Sequence, residues 1–136
     1  KLYQYLRNDN SLCYRVQTIY QKFDELLMIS VGLDSQNKDL AVKLIQKAMK
    51  EMASGKFSEE ELENAKKQLS FALTMSLDNQ NSMINNYLFH NLADTPLLED
   101  RKKEILEVTK ADVMKLAKKM MFVMNYELRE ATYEEN

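Results

Sequence analysis

The spacing of apolar residues changes several times along the 136-residue chain, and each change marks an element. Leu2, Tyr3 and Leu6 follow helical spacing. Asn8, Asp9, Asn10 and Ser11 then end that helix, because their short polar side chains hydrogen-bond nearby backbone and favour turns. From Leu12 the period falls to two, which predicts a strand with Tyr14, Val16, Thr18 and Tyr20 on one face and Cys13, Arg15, Gln17 and Ile19 on the other. Leu26 to Val31 is nearly continuous in apolar residues, as in a strand covered on both faces. The two strands predict an antiparallel hairpin.

After Gly32, Asp34 and Ser35 the spacing becomes helical for the rest of the chain, except at its end. Leu40, Ala41, Leu44, Ile45, Ala48, Met49 and Met52 trace one helix face up to Gly55, where a left-handed cap favours glycine. Ser58 and Glu61 are spaced as a capping box, with Phe57 placed to staple onto Leu62. Asp78 to Ser82 interrupts the stripe, which resumes through Met83, Ile84, Tyr87, Leu88 and Leu92. Thr95-Pro96 reads as the N-cap and first residue of another helix, and Thr109 with Asp112 opens the last one. Finally Phe122, Met124, Tyr126 and Leu128 alternate with Val123, Asn125, Glu127 and Arg129, predicting a third strand that returns to the sheet.

The sum is an α+β fold in which an antiparallel sheet carries helices packed on one face. Residues 1–136 read as a single domain, with 130–136 a loose tail. Three strands are few for so many helical stripes, and the chain starts at Lys1 and not at a methionine, so the expectation is a fragment of a longer chain.

Composition narrows the function classes. Nineteen Lys+Arg stand against twenty-one Asp+Glu, with the signs interleaved along the helices, which argues against a nucleic-acid or anionic-membrane surface. No apolar run approaches the ~18 residues of a membrane span. The single cysteine, Cys13, rules out an intrachain disulfide and fits a reducing compartment, the cytoplasm. Nine methionines, scattered over all elements, read as adaptable core filler.

Chemistry is sparse. A hydrolytic zinc site needs several imidazole or carboxylate ligands converging on the ion, and His90 is the only histidine, so a two-histidine site cannot be built and no metal or cofactor is expected in this chain. Cys13 has no imidazole in sequence to activate it. Glu59, Glu60 and Glu61 are explained by helix-dipole compensation in a first turn. No phosphate-cradling loop and no nucleophile elbow occurs. No catalytic set is complete. What remains is Arg7 near a helix end and Tyr14 early in the adjoining strand: a fork of donors and a phenol O–H that could hold a peptide carbonyl or its oxyanion. The plainer reading, a salt-bridged arginine and a sheet tyrosine, is heavier on composition alone.

The stretch Leu6 to Val16, LRNDNSLCYRV, resembles the L-R-x-x-x-x-L-x-Y-x-V signature of the insulinase-type (pitrilysin-like) zinc metallopeptidases, in their non-catalytic C-terminal repeat. LLMISVGLD, AVKLIQKAMKEMASG, FSEEELENAKKQL and VTKADVMKLAKKM resemble the family's succession of elements and extend the likeness from about Leu2 to Leu128. The family often has a small residue before the tyrosine, and here it is Cys13. The resemblance implies a processing-peptidase-like metallohydrolase domain, truncated at its N-terminus. It implies zinc and the general base in an N-terminal half of the parent or a partner subunit, a peptide or unfolded polypeptide as substrate, and substrate-binding roles for Arg7 and Tyr14. The parent would be a zinc metalloendopeptidase and this chain inactive alone; a homo-oligomer stays open. The family also contains members that have lost the zinc motif and serve as structural or interaction subunits, which supplies the alternative reading.

Overall fold

The computed structural model describes residues 1–93 and 95–129. The expected tail, 130–136, lies outside the described residues. The fold is α+β: a two-stranded antiparallel sheet followed by five α-helices among the described residues. The chain divides into two compact units, one formed by Lys1–Glu51 with Lys119–Asn136, the other by Met52–Lys118.

The first unit begins with a π-helical turn, Gln4–Asn8, closed by the Asp9 N–H on the Gln4 carbonyl at 2.9 Å. Strand β1 (Cys13–Gln21) and strand β2 (Leu26–Leu33) form the expected hairpin, and helix α1 (Lys38–Ala53) follows a short 3-10 turn at Ser35–Asn37. Leu6, Cys13 and Ala41 are buried together, with Val16, Val31, Leu33, Leu44 and Ile45 packed around them. One face of the hairpin therefore packs on α1. The other does not: Leu27, Ile29, Val31 and Leu33 are half-buried while Leu26, Met28 and Ser30 are exposed, so β2 is covered on one face and not on the expected two. A run of apolar residues permits burial on both sides but cannot supply the second cover.

The third strand is also corrected. Residues 122–129 carry no regular secondary structure, and among the described residues the sheet consists of β1 and β2. Period-two alternation describes how side chains would face, whereas a strand exists only when a neighbouring edge accepts its ladder of hydrogen bonds. The segment is anchored instead by charge. Lys38 Nζ lies 3.1 Å from Glu127 Oε2, and Arg129 donates to the same carboxylate from Nε at 2.8 Å and Nη2 at 3.0 Å. Those donors, Arg129 first and then Lys38, lower the Glu127 carboxyl from its ordinary 4.5 to about 2. A carboxyl depressed in the folded state favours folding above its unfolded pKa and ceases to as pH falls through its folded value. Between about pH 4.5 and 2, Glu127→Gln is therefore expected to flatten the loss of stability on acidification, which chemical denaturation at stepped pH will read.

In the second unit the caps at Gly55, Ser58 and Thr109 are as the sequence predicts, and that of the helix expected at Thr95-Pro96 is not. Gly55 closes the end of α1 with φ +74° and its N–H on the Met52 carbonyl at 3.2 Å. Helix α2 (Glu59–Leu77) starts on a full capping box: the Glu61 N–H donates to Ser58 Oγ at 3.0 Å, and the Ser58 N–H to Glu61 Oε2 at 2.8 Å. Phe57 and Leu62, the expected staple, are both buried. Helix α3 (Gln80–Ala93) follows after Asp78 and Asn79. Helix α4 (Leu98–Glu107) is capped by Leu97, not begun at Pro96, and the Thr95 carbonyl is bonded by His90 Nδ1 at 2.6 Å. Helix α5 (Lys110–Lys119) opens on Thr109, whose N–H donates to Asp112 Oδ2 at 2.9 Å while the Asp112 N–H donates to Thr109 Oγ1 at 3.2 Å. The Thr109 hydroxyl and amide hold the Asp112 carboxyl below the usual carboxylate range. The Ser58 and Thr109 side chains each satisfy an amide that a helix start otherwise leaves unpaired.

Candidate functional site

The site is the turn that carries Arg7 out of the π-helical segment and Tyr14 into β1. Its base is Leu6, fully buried beside Cys13 and Ala41. The neighbouring Tyr5 hydroxyl bonds the Glu51 carboxylate, and the Lys47 ammonium sits 4.9 Å from the Tyr5 ring centre, so α1 holds the turn from outside as the core holds it from within. Between Arg7 and Tyr14 the backbone is closed on itself. The Ser11 N–H reaches the Arg7 carbonyl at 3.0 Å and the Leu12 N–H the Leu6 carbonyl at 2.8 Å, while Asn10 Nδ2 donates to the Tyr5 carbonyl at 2.7 Å. Ser11 takes φ +49°, the left-handed position more often given to glycine at a helix end.

Tyr14 then falls in a β-bulge. Cys13 pairs with Leu33 and Arg15 with Gly32, so one residue of β1, Tyr14, is extra to the ladder. A bulge shifts the phase of every side chain beyond it and re-aims the inserted one. This corrects the face assignment made from period two: Cys13 shares the buried face with Val16, and Tyr14 is turned out with Arg15. The Tyr14 side chain is 73% exposed, yet one side of its ring lies on Gly32.

Both sequence-predicted residues are thus solvent-facing groups that leave the core from adjacent positions, one after Leu6 and the other after Cys13. Arg7 lays its guanidinium 5.2 Å from the Tyr3 ring centre and pairs with no carboxylate among the described residues. Three departures from regular backbone (the π turn, the left-handed Ser11 and the bulge) fall between Gln4 and Arg15, the kind of clustering found where a chain is built around a site.

Sequence reasoning missed the bulge and Gly32. Two signals were available: Cys13 and Val16, the two residues of β1 best suited to a core, are three positions apart and cannot share a face of a regular strand, and a glycine late in an apolar strand marks a bulge or a close approach.

Zinc does not fit these residues. Among the described residues no group of three or more His, Cys, Asp or Glu is placed to hold a metal, and His90 spends Nδ1 on the Thr95 carbonyl. Cys13 is a buried free thiol packed in the core. No helix among the described residues is long and apolar enough to cross a membrane.

The model of the family described as Peptidase M16 inactive domain matches residues 1–69, the half that contains the turn, the hairpin, α1 and the start of α2. The chain belongs to that family. Beyond the matched half, this M16 inactive domain is 27% identical over 132 residues to a protein of Bacillus subtilis (strain 168) named "Probable inactive metalloprotease YmfF", an alignment covering 95% of the chain and 30% of the relative. The chain therefore spans about a third of the length of that curated relative. A crystal structure of a conserved protein from Enterococcus faecalis V583 superposes with a TM-score of 0.77 at 23% identity, over 87% of the chain and 28% of that structure, a likeness of fold.

Proposed function

We propose that this M16 inactive domain holds a peptide segment through Arg7 and Tyr14 and presents it to a zinc centre carried by another domain of the parent protein or by a partner. The observation that carries the reading is the turn from Arg7 to Tyr14 itself: two exposed polar groups that follow the neighbouring core residues Leu6 and Cys13, each on an irregular backbone segment tied down by core packing and hydrogen bonds. The guanidinium offers parallel donors to a peptide carbonyl, and the phenol O–H adds a third that can follow charge developing on that oxygen. Binding and orienting are what these two residues supply; the hydrolytic chemistry would be that of zinc.

One comparison favours a second reading. The Bacillus relative is named as inactive, which supports a parent that keeps the peptide grip without cleaving.

The test is made in the full-length parent with Arg7→Ala and Tyr14→Phe. Losing charge-assisted hydrogen bonds of about 1.5–3 kcal/mol predicts a fall of roughly 10- to 100-fold in kcat/KM for Arg7→Ala, with unfolding unchanged because Arg7 is exposed. For a parent that does not cleave, the same loss appears as weaker binding of a labelled peptide. Unchanged turnover and unchanged peptide binding in both variants would overturn the reading.

A further inference from the structure

We propose that Gly32 is a positioning residue for Tyr14: having no side chain, it seats the tyrosine ring and thereby aims the phenol. The inference rests on the peptide-holding reading and extends it to β2, a strand that reading leaves without a role. Gly32 stands opposite Arg15, and the extra residue of the bulge, Tyr14, lies across it. A Cβ at position 32 would come 2.4 Å from Tyr14 Cε2, 2.8 Å from Cζ and 3.1 Å from Cδ2, well inside ordinary carbon–carbon contact of about 3.5–4.0 Å. Ring and side chain at position 32 exclude each other.

The arrangement answers a problem set by the site. A tyrosine 73% exposed on a strand has little to choose among its staggered χ1 wells, and a phenol spread over several directions is a poor hydrogen-bond donor to a substrate held in one. Packing one face of the ring on the bare backbone of the facing strand selects a single well, the same device by which an aromatic ring covers a glycine in a designed sheet. The bulge sends Tyr14 to that side, and Gly32 stops it there. Because Tyr14 is 73% exposed, a methyl group at position 32 is accommodated by the ring swinging into solvent. Fold is kept and aim is lost.

Two measurements on the full-length parent test this. In glycine-labelled protein, with the Gly32 signal identified by its disappearance in Gly32→Ala, the Gly32 Hα resonances are expected upfield under the aromatic ring and return to ordinary positions in Tyr14→Leu. Second, Gly32→Ala is expected to lower peptide turnover or peptide affinity about tenfold with the melting temperature held within about 2 °C, and to have no further effect in the Tyr14→Leu background. An Hα signal that is not shifted in the wild type overturns the seat and leaves the Arg7–Tyr14 reading standing. Equal losses from Gly32→Ala with and without the tyrosine overturn it too, since the glycine would then act through something other than the ring. A shifted signal together with full peptide handling in Tyr14→Leu overturns the peptide reading, and with it any positioning role for Gly32.

Discussion

Replacing Leu6 with alanine is expected to lower the unfolding free energy of the hairpin unit by about 3 kcal/mol, the largest stability loss of any single truncation in that unit. Leu6 is the one large side chain that is fully buried, at 0% exposure among the described residues. Large-to-small changes in cores cost the transfer of the lost carbons plus the cavity they leave, and the second part depends on whether neighbours can close in. Here they cannot do so easily. Cys13 and Ala41 are short, and the turn carrying Leu6 is pinned by the Tyr5–Glu51 bond and by the Leu12 N–H on Leu6's own carbonyl. Leu6→Met, which conserves volume, should cost less than about 1.5 kcal/mol. Urea unfolding with unchanged m-values measures both, and a loss below about 1 kcal/mol for Leu6→Ala would show that the turn collapses freely. Leu6 is also the residue that sets where Arg7 leaves the core.

That dependence also explains how much of the molecule was legible beforehand. Local rules with one dominant cause were readable: a serine three residues before a glutamate, a glycine where a helix must turn left-handed, an Asp-Asn interruption between two apolar stripes. Ser58, Gly55 and Asp78 all act as expected. What could not be read are outcomes decided between segments. Whether residues 122–129 become a strand depends on an edge to accept them, and whether Thr95 caps a helix depends on His90, which takes its carbonyl. The bulge is the instructive case. Period two put Tyr14 beside Val16, but burying Cys13 with Leu6 and Val16 with Val31 in one core requires an extra residue between them, and the residue expelled is the tyrosine. Packing, not period, decided which way Tyr14 faces.

The same contest between backbone and neighbour predicts the second large effect, at Gly55. Gly55→Val is expected to destabilise the helical unit by about 2–3 kcal/mol. The left-handed conformation costs a residue with a Cβ roughly 1–2 kcal/mol, and β-branching makes it less tolerable still. Gly55 holds φ +74°, and a Cβ there would meet Met114 Sδ at 2.8 Å and Cε at 3.1 Å. Met114 lies on α5, whose first residue, Lys110, reaches back to the Phe57 carbonyl at 2.5 Å and over the Phe57 ring at 4.9 Å. A side chain at position 55 therefore strains its own backbone and pushes at the place where α5 is tied to the loop before α2. The two contributions are separable. Asparagine tolerates the left-handed region, so Gly55→Asn isolates the contact with Met114, whereas Met114→Ala in the Gly55→Val background removes the contact and leaves the backbone cost. Thermal unfolding of the set should order as wild type, Gly55→Asn, then Gly55→Val, with Met114→Ala costing less in the valine background than alone. Equal effects of Met114→Ala in both backgrounds would mean that the methionine yields without resistance, and the whole cost at position 55 would then be conformational.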